Sequence, residues 1–348
     1  MTLTRVDTGT VRAALALAAR APSVHNTQPW RWQVVEDGPG TWVHLYADLT
    51  RWLPLTDPDG RDLVLSCGAA LHHLQVALAG LDVPCTVHRM PDPQRPDLLA
   101  RVRIGVADGG PAARRYADGE GDDDGTPAAD EASAIGKRHT DRRRYSDWPV
   151  PPALLAELEA CAAAHGALLR VVPDGPARRA LELAVRTAAL EHAAMPGYDT
   201  ELALWSGMRS SDDGVPVGNV PAPGSPGHGV PVRRFSAGEL PEDSTPEDGA
   251  ALLVVGTSSD DQLSQLRAGE ATSAVLLGAT LAGLATAPLS EPLELADTRA
   301  LLRDQVLDGT LCPQLVLRVG WAPVTDPVPG SPRRSLADQV EGLPDLRP

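Results

Sequence analysis

Ala21-Pro22-Ser23-Val24-His25-Asn26-Thr27-Gln28-Pro29-Trp30 is the most distinctive string in this chain of 348 residues. It sets small hydroxyl and amide side chains between a helix-like and a strand-like stretch. There they could hydrogen-bond a planar polar ligand while Trp30 anchors the strand. Ser, Asn and Pro also build ordinary N-caps and turns, which accounts for any one of these residues but poorly for the whole run. A second string, Lys137-Arg138-His139-Thr140-Asp141-Arg142-Arg143-Arg144-Tyr145, carries six basic-type side chains in eight positions. Guanidinium groups make charged, bidentate hydrogen bonds, so this run can hold an anion; a solvated basic face or an RNA patch is the other reading. Arg333-Arg334, after a Pro/Gly turn, is a third basic spot that means little alone. No metal is expected. Asp57-Pro58-Asp59-Gly60 looks like the start of a calcium loop, but its Pro and the missing downstream Glu leave a plain turn. Cys67 with His72 and His73 fits no structural zinc spacing and reads as helix packing.

The surroundings of the basic run are acidic. Lys and Arg number 31 against 46 Asp and Glu, a net charge of −15, and Lys137 is the lone lysine. Such a chain repels polyphosphate over its surface, which argues against a general nucleic-acid binder. Any anion it holds must be held by a local cluster. Hydrophobic residues at 43% and charged residues at 22% provide for a packed core. Four cysteines, Cys67, Cys85, Cys161 and Cys312, are scattered without a paired motif and read as reduced thiols. Val11–Ala21 is broken by Arg12 and Arg20, unlike a signal core. The uncharged run Ala271–Leu289 approaches membrane-spanning length, yet its Ala, Thr and Gly content and lack of an aromatic belt indicate a buried helix. The expectation is a cytoplasmic protein with no membrane partner.

The elements that must position these residues alternate in type. Helical spacing covers Val11–Ala21, Leu63–Leu81, Pro152–Ala164, Ala177–Ala194, Gln262–Ala285 and Ala296–Val306; strand character covers Trp30–Val35, Trp42–Ala47, Thr86–Arg89, Arg101–Val106, Leu168–Val172, Leu252–Val255 and Gln314–Val319. The class is α+β. Gly119–Glu131 is acidic and aperiodic and reads as a linker. It separates an N-terminal half, 1–118, from a C-terminal half, 132–348. Ser206–Gly249 is Pro/Gly-rich and too long for an ordinary loop; with Trp205 and Phe235 at its ends it reads as a lid. A weak repeat links the halves: Leu63–Leu81 ends in Ala77-Leu78-Ala79-Gly80-Leu81, and the later helix in Thr280-Leu281-Ala282-Gly283-Leu284.

Taken together, Arg20–Trp32, Thr56–Leu74, Lys137–Tyr145 and Pro332–Val340 resemble the flavin-dependent nitroreductase superfamily, most of all its Acg branch of dormancy-associated nitroreductase-like proteins. The resemblance covers almost the whole chain. It implies the α+β nitroreductase fold, in which two chains hold FMN at their interface. Carried over, Arg138, His139, Thr140 and Arg142 would grip the phosphate, ribityl chain and flavin N1 edge. Pro22, Ser23, Val24, Asn26 and Gln28 would meet the same flavin from the other side. Pro288, Leu289 and Ser290 match the segment whose backbone approaches the flavin N5, and Arg333 and Arg334 match a C-terminal phosphate clamp.

The departures from that pattern matter. The N-terminal half has the Pro-Ser-x-x-Asn string with no basic motif before it. The C-terminal half has the basic motif, but Ala162–Ala167 stands where its Pro-Ser string would be. One duplicated, fused chain, a monomer acting as an internal pseudo-dimer with one complete flavin site, accounts for both. FMN carries the chemistry in such a site, so no side chain is expected as a nucleophile. No GxGxxG follows a strand, which argues against a separate dinucleotide site but not against transient NAD(P)H binding. The function expected is ping-pong electron transfer from a donor such as NAD(P)H to a small organic acceptor. The alternatives are FMN storage under a closed lid, and an FMN-dependent dehydrogenase of a biosynthetic intermediate.

Overall fold

The computed structural model describes residues 6–37, 40–105, 127–208, 211–222, 233, 235, 238–241, 248–323 and 326–343. Helix α1 (Thr8–Ala18) starts where the Asp7 carboxylate accepts the Thr10 N–H at 2.9 Å. Strands β1 (Trp30–Asp37) and β2 (Gly40–Ala47) form a hairpin, followed by helix α2 (Arg61–Gly80) and strands β3 (Cys85–Arg89) and β4 (Leu98–Ile104). Helix α2 opens at Gly60, whose φ of 68° suits glycine, with the Asp57 carboxylate accepting the Leu63 N–H at 2.9 Å. By length and composition α2 could cross a membrane, but it lies at the centre of the protein, buried on nearly every side.

Helices and strands alternate again beyond residue 126. Helices α3 (Pro127–Lys137) and α4 (Pro152–Ala163) precede strand β5 (Leu168–Val171), then helices α5 (Pro176–Ala194) and α6 (Tyr198–Leu204) and the short pair β6 (Ser206–Met208) and β7 (Val215–Pro216). Strand β8 (Ala251–Thr257), helix α7 (Gln262–Leu281), strand β9 (Ala285–Leu289), helices α8 (Glu291–Glu294) and α9 (Ala296–Gln305) and strand β10 (Cys312–Gly320) complete it. Four neighbouring strands of the first, five-stranded sheet run β1-β2-β4-β3; the second sheet runs β5-β8-β10-β9. Every pairing among these eight strands is antiparallel.

Helices α2 and α7 join the halves at a glycine crossing. A Cβ on Gly68 would lie 2.1 Å from the Leu266 carbonyl oxygen, and a Cβ on Gly269 would lie 2.1 Å from that of Leu65. The exchange is reciprocal, as in an isologous two-fold interface. Beyond the crossing, His72 Nδ1 meets Ser273 Oγ at 2.9 Å.

Several expectations need correction. The helix expected over 262–285 ends at Leu281, because Gly283 turns left-handed (φ 76°) and Ala285 already begins β9. Of the linker read over 119–131, residues 119–126 lie outside the described residues, and 127–131 open α3 with Pro127 in the first turn, where its missing N–H is harmless. The C-terminal segment joins the first sheet. Strand β11 (Val340–Glu341) pairs in parallel with β1, and Trp30 Nε1 donates to Gln339 Oε1 at 2.6 Å. Within the segment read as a lid, 209–210, 223–232, 234, 236–237 and 242–247 lie outside the described residues.

The glycine crossing gives a direct test. Gly68→Ala and Gly269→Ala should each cost about 1–3 kcal/mol or more, because the new methyl meets backbone that cannot swing away. Gly136→Ala in α3, with open space around it, should not destabilise. Thermal denaturation of the three variants reads this; equal melting temperatures would mean the helices can part freely.

Candidate functional site

Between the two four-membered strand sets lies an open-mouthed cleft with a cavity volume of about 150 Å³. One wall is the string between α1 and β1. His25, Asn26 and Gln28 all take positive φ, at 44°, 55° and 50°. Non-glycine residues in that region carry strain of order 1–3 kcal/mol each and persist only where the surroundings over-determine them.

The surroundings do so here. Ser23 Oγ accepts the Gln28 N–H at 3.0 Å, and Ser66 Oγ on α2 accepts the Val24 N–H at 3.0 Å. Asn26 Nδ2 donates to the carbonyls of Gly214 (3.0 Å) and Pro332 (3.1 Å), while its Oδ1 accepts from Arg333 Nη1 at 3.0 Å. Thr27 closes its own turn through Val24 O at 2.9 Å.

The basic run divides by direction. Arg138, His139, Thr140 and Arg142 line the cleft, whereas Arg143 turns away to pair with Asp141 at 2.7 Å. A bridge from Thr140 to Thr286, with the Asp141 N–H on Thr286 O at 2.9 Å, ties the run to β9. Arg142 donates to Asn219 O at 3.1 Å and stands 5.2 Å from the centre of the Phe235 ring. Arg333 arrives on the C-terminal segment and donates to the carbonyls of Arg20 (2.9 Å) and Ala21 (3.2 Å).

What these arginines lack is a counter-charge. Among the described residues no carboxylate pairs with Arg20, Arg138, Arg142 or Arg333. Elsewhere Arg51, Arg61, Arg89, Arg143 and Arg318 each have an acid partner. Burial, and then the neighbouring Arg20, disfavour the Arg138 charge; burial, then Arg138 and Arg20, do the same for Arg333. Arg138 Nε and Arg333 Nε are buried without a partner. A multivalent anion is the group that would relieve all of this.

The opposite end of the cleft is acidic and tightly bonded. Pro288, Leu289 and Ser290 line it beside Glu291 and Asp62. Ser290 Oγ donates to Glu294 Oε1 at 2.7 Å, Glu294 pairs with Arg233, and Arg233 Nη1 meets His25 Nε2 at 2.8 Å. An arginine only donates, so His25 Nε2 accepts and its proton sits on Nδ1. Burial and the positive charge of Arg233 hold the imidazole well below its usual range, hence neutral.

Twelve of the fourteen positions singled out in the sequence line this cleft: Pro22, Ser23, Val24, Asn26, Arg138, His139, Thr140, Arg142, Pro288, Leu289, Ser290 and Arg333. Gln28 and Arg334 do not. The Gln28 side chain is fully buried, donating to Asp212 O at 2.9 Å and accepting the Arg334 N–H at 2.9 Å. Arg334 in turn donates to Gln28 O at 3.2 Å and Asp338 O at 2.8 Å. The pair braces the string against the C-terminal segment. Sequence reasoning missed Asp62 and Ser66, although polar residues four apart on an otherwise apolar helix are a usable signal. It also missed Arg233, which carries no such signal within a Pro/Gly-rich segment.

No family model matches the chain. Among curated proteins it is 46% identical over 344 residues, 98% of this chain and 93% of the relative, to the Mycobacterium tuberculosis H37Rv protein named "Putative NAD(P)H nitroreductase Rv3131". It is 34% identical over 343 residues to the nitroreductase-named acg protein of the same strain, covering 97% of this chain and 96% of the relative. Among solved structures, the Mycobacterium smegmatis FMN-dependent nitroreductase NfnB in complex with NADPH aligns with 61% of this chain and 96% of its own, at 16% identity and a TM-score of 0.38. That overlap is too low to bear on this chain.

The unpaired arginines predict an anion effect. Inorganic phosphate should raise the melting temperature of the wild-type protein with a saturating dose response. Arg138→Ala and Arg333→Ala should blunt that response, each losing charged hydrogen bonds worth about 1.5–3 kcal/mol. Differential scanning fluorimetry across a phosphate series, with chloride at matched ionic strength, reads it; identical curves for phosphate and chloride would count against a built anion site.

Proposed function

The chain belongs to the nitroreductase superfamily, with Acg-like proteins among its relatives, and from that membership we propose that it is an FMN-dependent oxidoreductase working by ping-pong transfer from NAD(P)H to a small organic acceptor. The single observation that carries the reading is the carboxylate-free arginine cluster at one end of a cleft between two sheets. Orphaned Nε atoms on Arg138 and Arg333 fit a phosphate group. Thr140 and Arg142 stand further along the same wall, suited to a ribityl hydroxyl and the N1–C2=O edge. The strained Pro22–Asn26 string and Pro288–Ser290 would flank the ring system. When bound, FMN supplies reversible two-electron chemistry. The protein's part is to hold that group: Arg142 supports negative charge near N1, and the walls keep water from it.

The finer architecture is part of the same proposal. The two halves read as a duplication fused into an internal pseudo-dimer, so one chain suffices for one site. Matching strand orders, two central helices of 20 residues each and their reciprocal glycine contact support this. The C-terminal strand adds to the other half's sheet, as a tail exchanged between subunits would. At the related position of the second half the turn after α4 is filled by protein: His165 packs edge-on against His72, ring centres 4.5 Å apart. That favours one cofactor per chain. Free cysteines, among the described residues, suit a reducing cytoplasm.

Storage of FMN is the second reading, and it too has support. Val215, Pro216, Arg233 and Phe235, all from the segment 206–249, line the cleft, so that segment covers it in part. One experiment separates the readings. Purified protein reconstituted with FMN and then denatured should release flavin in a ratio near one to protein. Anaerobic NADPH should bleach the bound flavin, and an added quinone should restore its colour. Binding without bleaching by NADH or NADPH would favour storage; a ratio near two would overturn the single-site account.

A further inference from the structure

Glu291 is a carboxylate of the cleft that holding FMN leaves unused. It opens α8 directly after Ser290 and lines the acidic end. Its side chain keeps 9% exposure there. The basic groups nearest to it, His192 Nδ1 at 3.8 Å and Arg233 Nε at 3.9 Å, stand outside hydrogen-bond reach. Among the described residues no group donates a hydrogen bond to it. Glu294, three residues on, is the contrast: its side chain is 1% exposed and accepts from Ser290 Oγ at 2.7 Å and from Arg233. Both basic groups are fixed from elsewhere. The His192 ring stacks on Tyr198 with centres 4.3 Å apart, and Arg233 is bonded to Glu294 and His25. Arg233 therefore attracts Glu291 by charge without taking up its lone pairs. A carboxylate accepts hydrogen bonds and donates none, so the partner it suits in the cleft is an N–H group.

We propose that Glu291 is the residue that selects the electron donor, its carboxylate accepting a hydrogen bond from the carboxamide N–H of the nicotinamide. This rests on the flavin reading above. In a ping-pong cycle the donor and the acceptor use the cleft in turn, and they differ in what they offer a carboxylate. Nicotinamide brings an NH2 group. A quinone or nitro compound presents oxygen acceptors only, which gain no hydrogen bond from Glu291 and meet its negative charge. The same side chain thus attracts one partner and disfavours the other, the two arms of specificity. One charged hydrogen bond sets the size of the effect, about tenfold in affinity or more. The flavin ring carries an N–H of its own, so the competing assignment of Glu291 is to the cofactor. Experiment separates the two.

The test compares nicotinamide with 3-acetylpyridine, which share their shape and carbonyl and differ in NH2 against CH3. Ligand-observed NMR titration of the FMN-loaded protein should give nicotinamide the tighter affinity, by about tenfold or more. In Glu291→Leu that ratio should fall to near one, whereas Glu291→Gln, which keeps a carbonyl acceptor, should retain a reduced preference. Stopped-flow bleaching extends the result to the whole donor. Half-saturation by NADPH should rise about tenfold in Glu291→Leu, and far less for the reduced 3-acetylpyridine analogue of NADPH. Equal affinities of the two small ligands for the wild-type protein would overturn the proposal, and this arm decides even where Glu291→Leu fails to fold. A Glu291→Leu protein that loses FMN at unchanged ligand preference would also overturn it, giving the carboxylate to the flavin N–H. The same pair titrated into flavin-free protein should show the same order. Protein that takes up no FMN would sink the functional reading, while that titration still decides whether Glu291 selects the N–H ligand.

Discussion

Like charges converge at one end of the cleft with nothing of opposite sign to meet them. Arg138 and Arg333, beside Arg20, sit in a chain of net charge −15, yet no acid group pairs with them among the described residues. Most other buried or half-buried arginines of the protein found partners in situ, Arg318 with Asp248 at 2.7 Å for one. Mutual repulsion and lost hydration would drive these three apart unless other parts of the fold held them. Backbone carbonyls of Arg20 and Ala21 do part of that work, and so does the Asn26 side chain. The cluster is therefore inseparable from the strained string and from the C-terminal segment that delivers Arg333.

That dependence accounts for the crossing of the segment after β10 to the first sheet. Pairing of β11 with β1 fixes the approach of Pro332–Arg334, and the Gln28–Arg334 bonds lock it to the string. On the other side, the bridge between Thr140 and β9 fixes the basic run. Both walls then rest on the α2–α7 crossing, where two glycines let the helices approach closely enough that no side chain separates them. A shift at that crossing would move the two walls independently, and with them the spacing of the cleft.

Much of this was legible in the residues. Alternation and helical spacing gave the order of the strands and helices, because α1 and α5 are amphipathic and β1 and β2 alternate. The two chemistry-bearing strings announced themselves by composition. What stayed hidden depends on distant contacts. Gln28 was carried over with the Pro-Ser string and Arg334 as part of a phosphate clamp; the bonds that they make to each other appear only with the crossing of the tail. The end of α7 was misread since Ala282 and Leu284 keep the apolar pattern while Gly283 breaks the backbone. Asp62 was not singled out, because an acid in the first turn is favourable at any helix start.

The most direct test of the account compares two ligands that differ in one group. FMN and riboflavin share the ring system and ribityl chain, and only FMN carries the phosphate that the arginine cluster is suited to hold. Two charged hydrogen-bonding arginines, at about 1.5–3 kcal/mol each, correspond to a preference of at least about a hundredfold. Titration calorimetry on flavin-free protein should therefore give an FMN affinity at least that much tighter than that of riboflavin, with the difference shrinking in Arg138→Ala. Equal affinities for the two flavins in the wild-type protein would contradict the claim that this cluster is the cofactor's anchor.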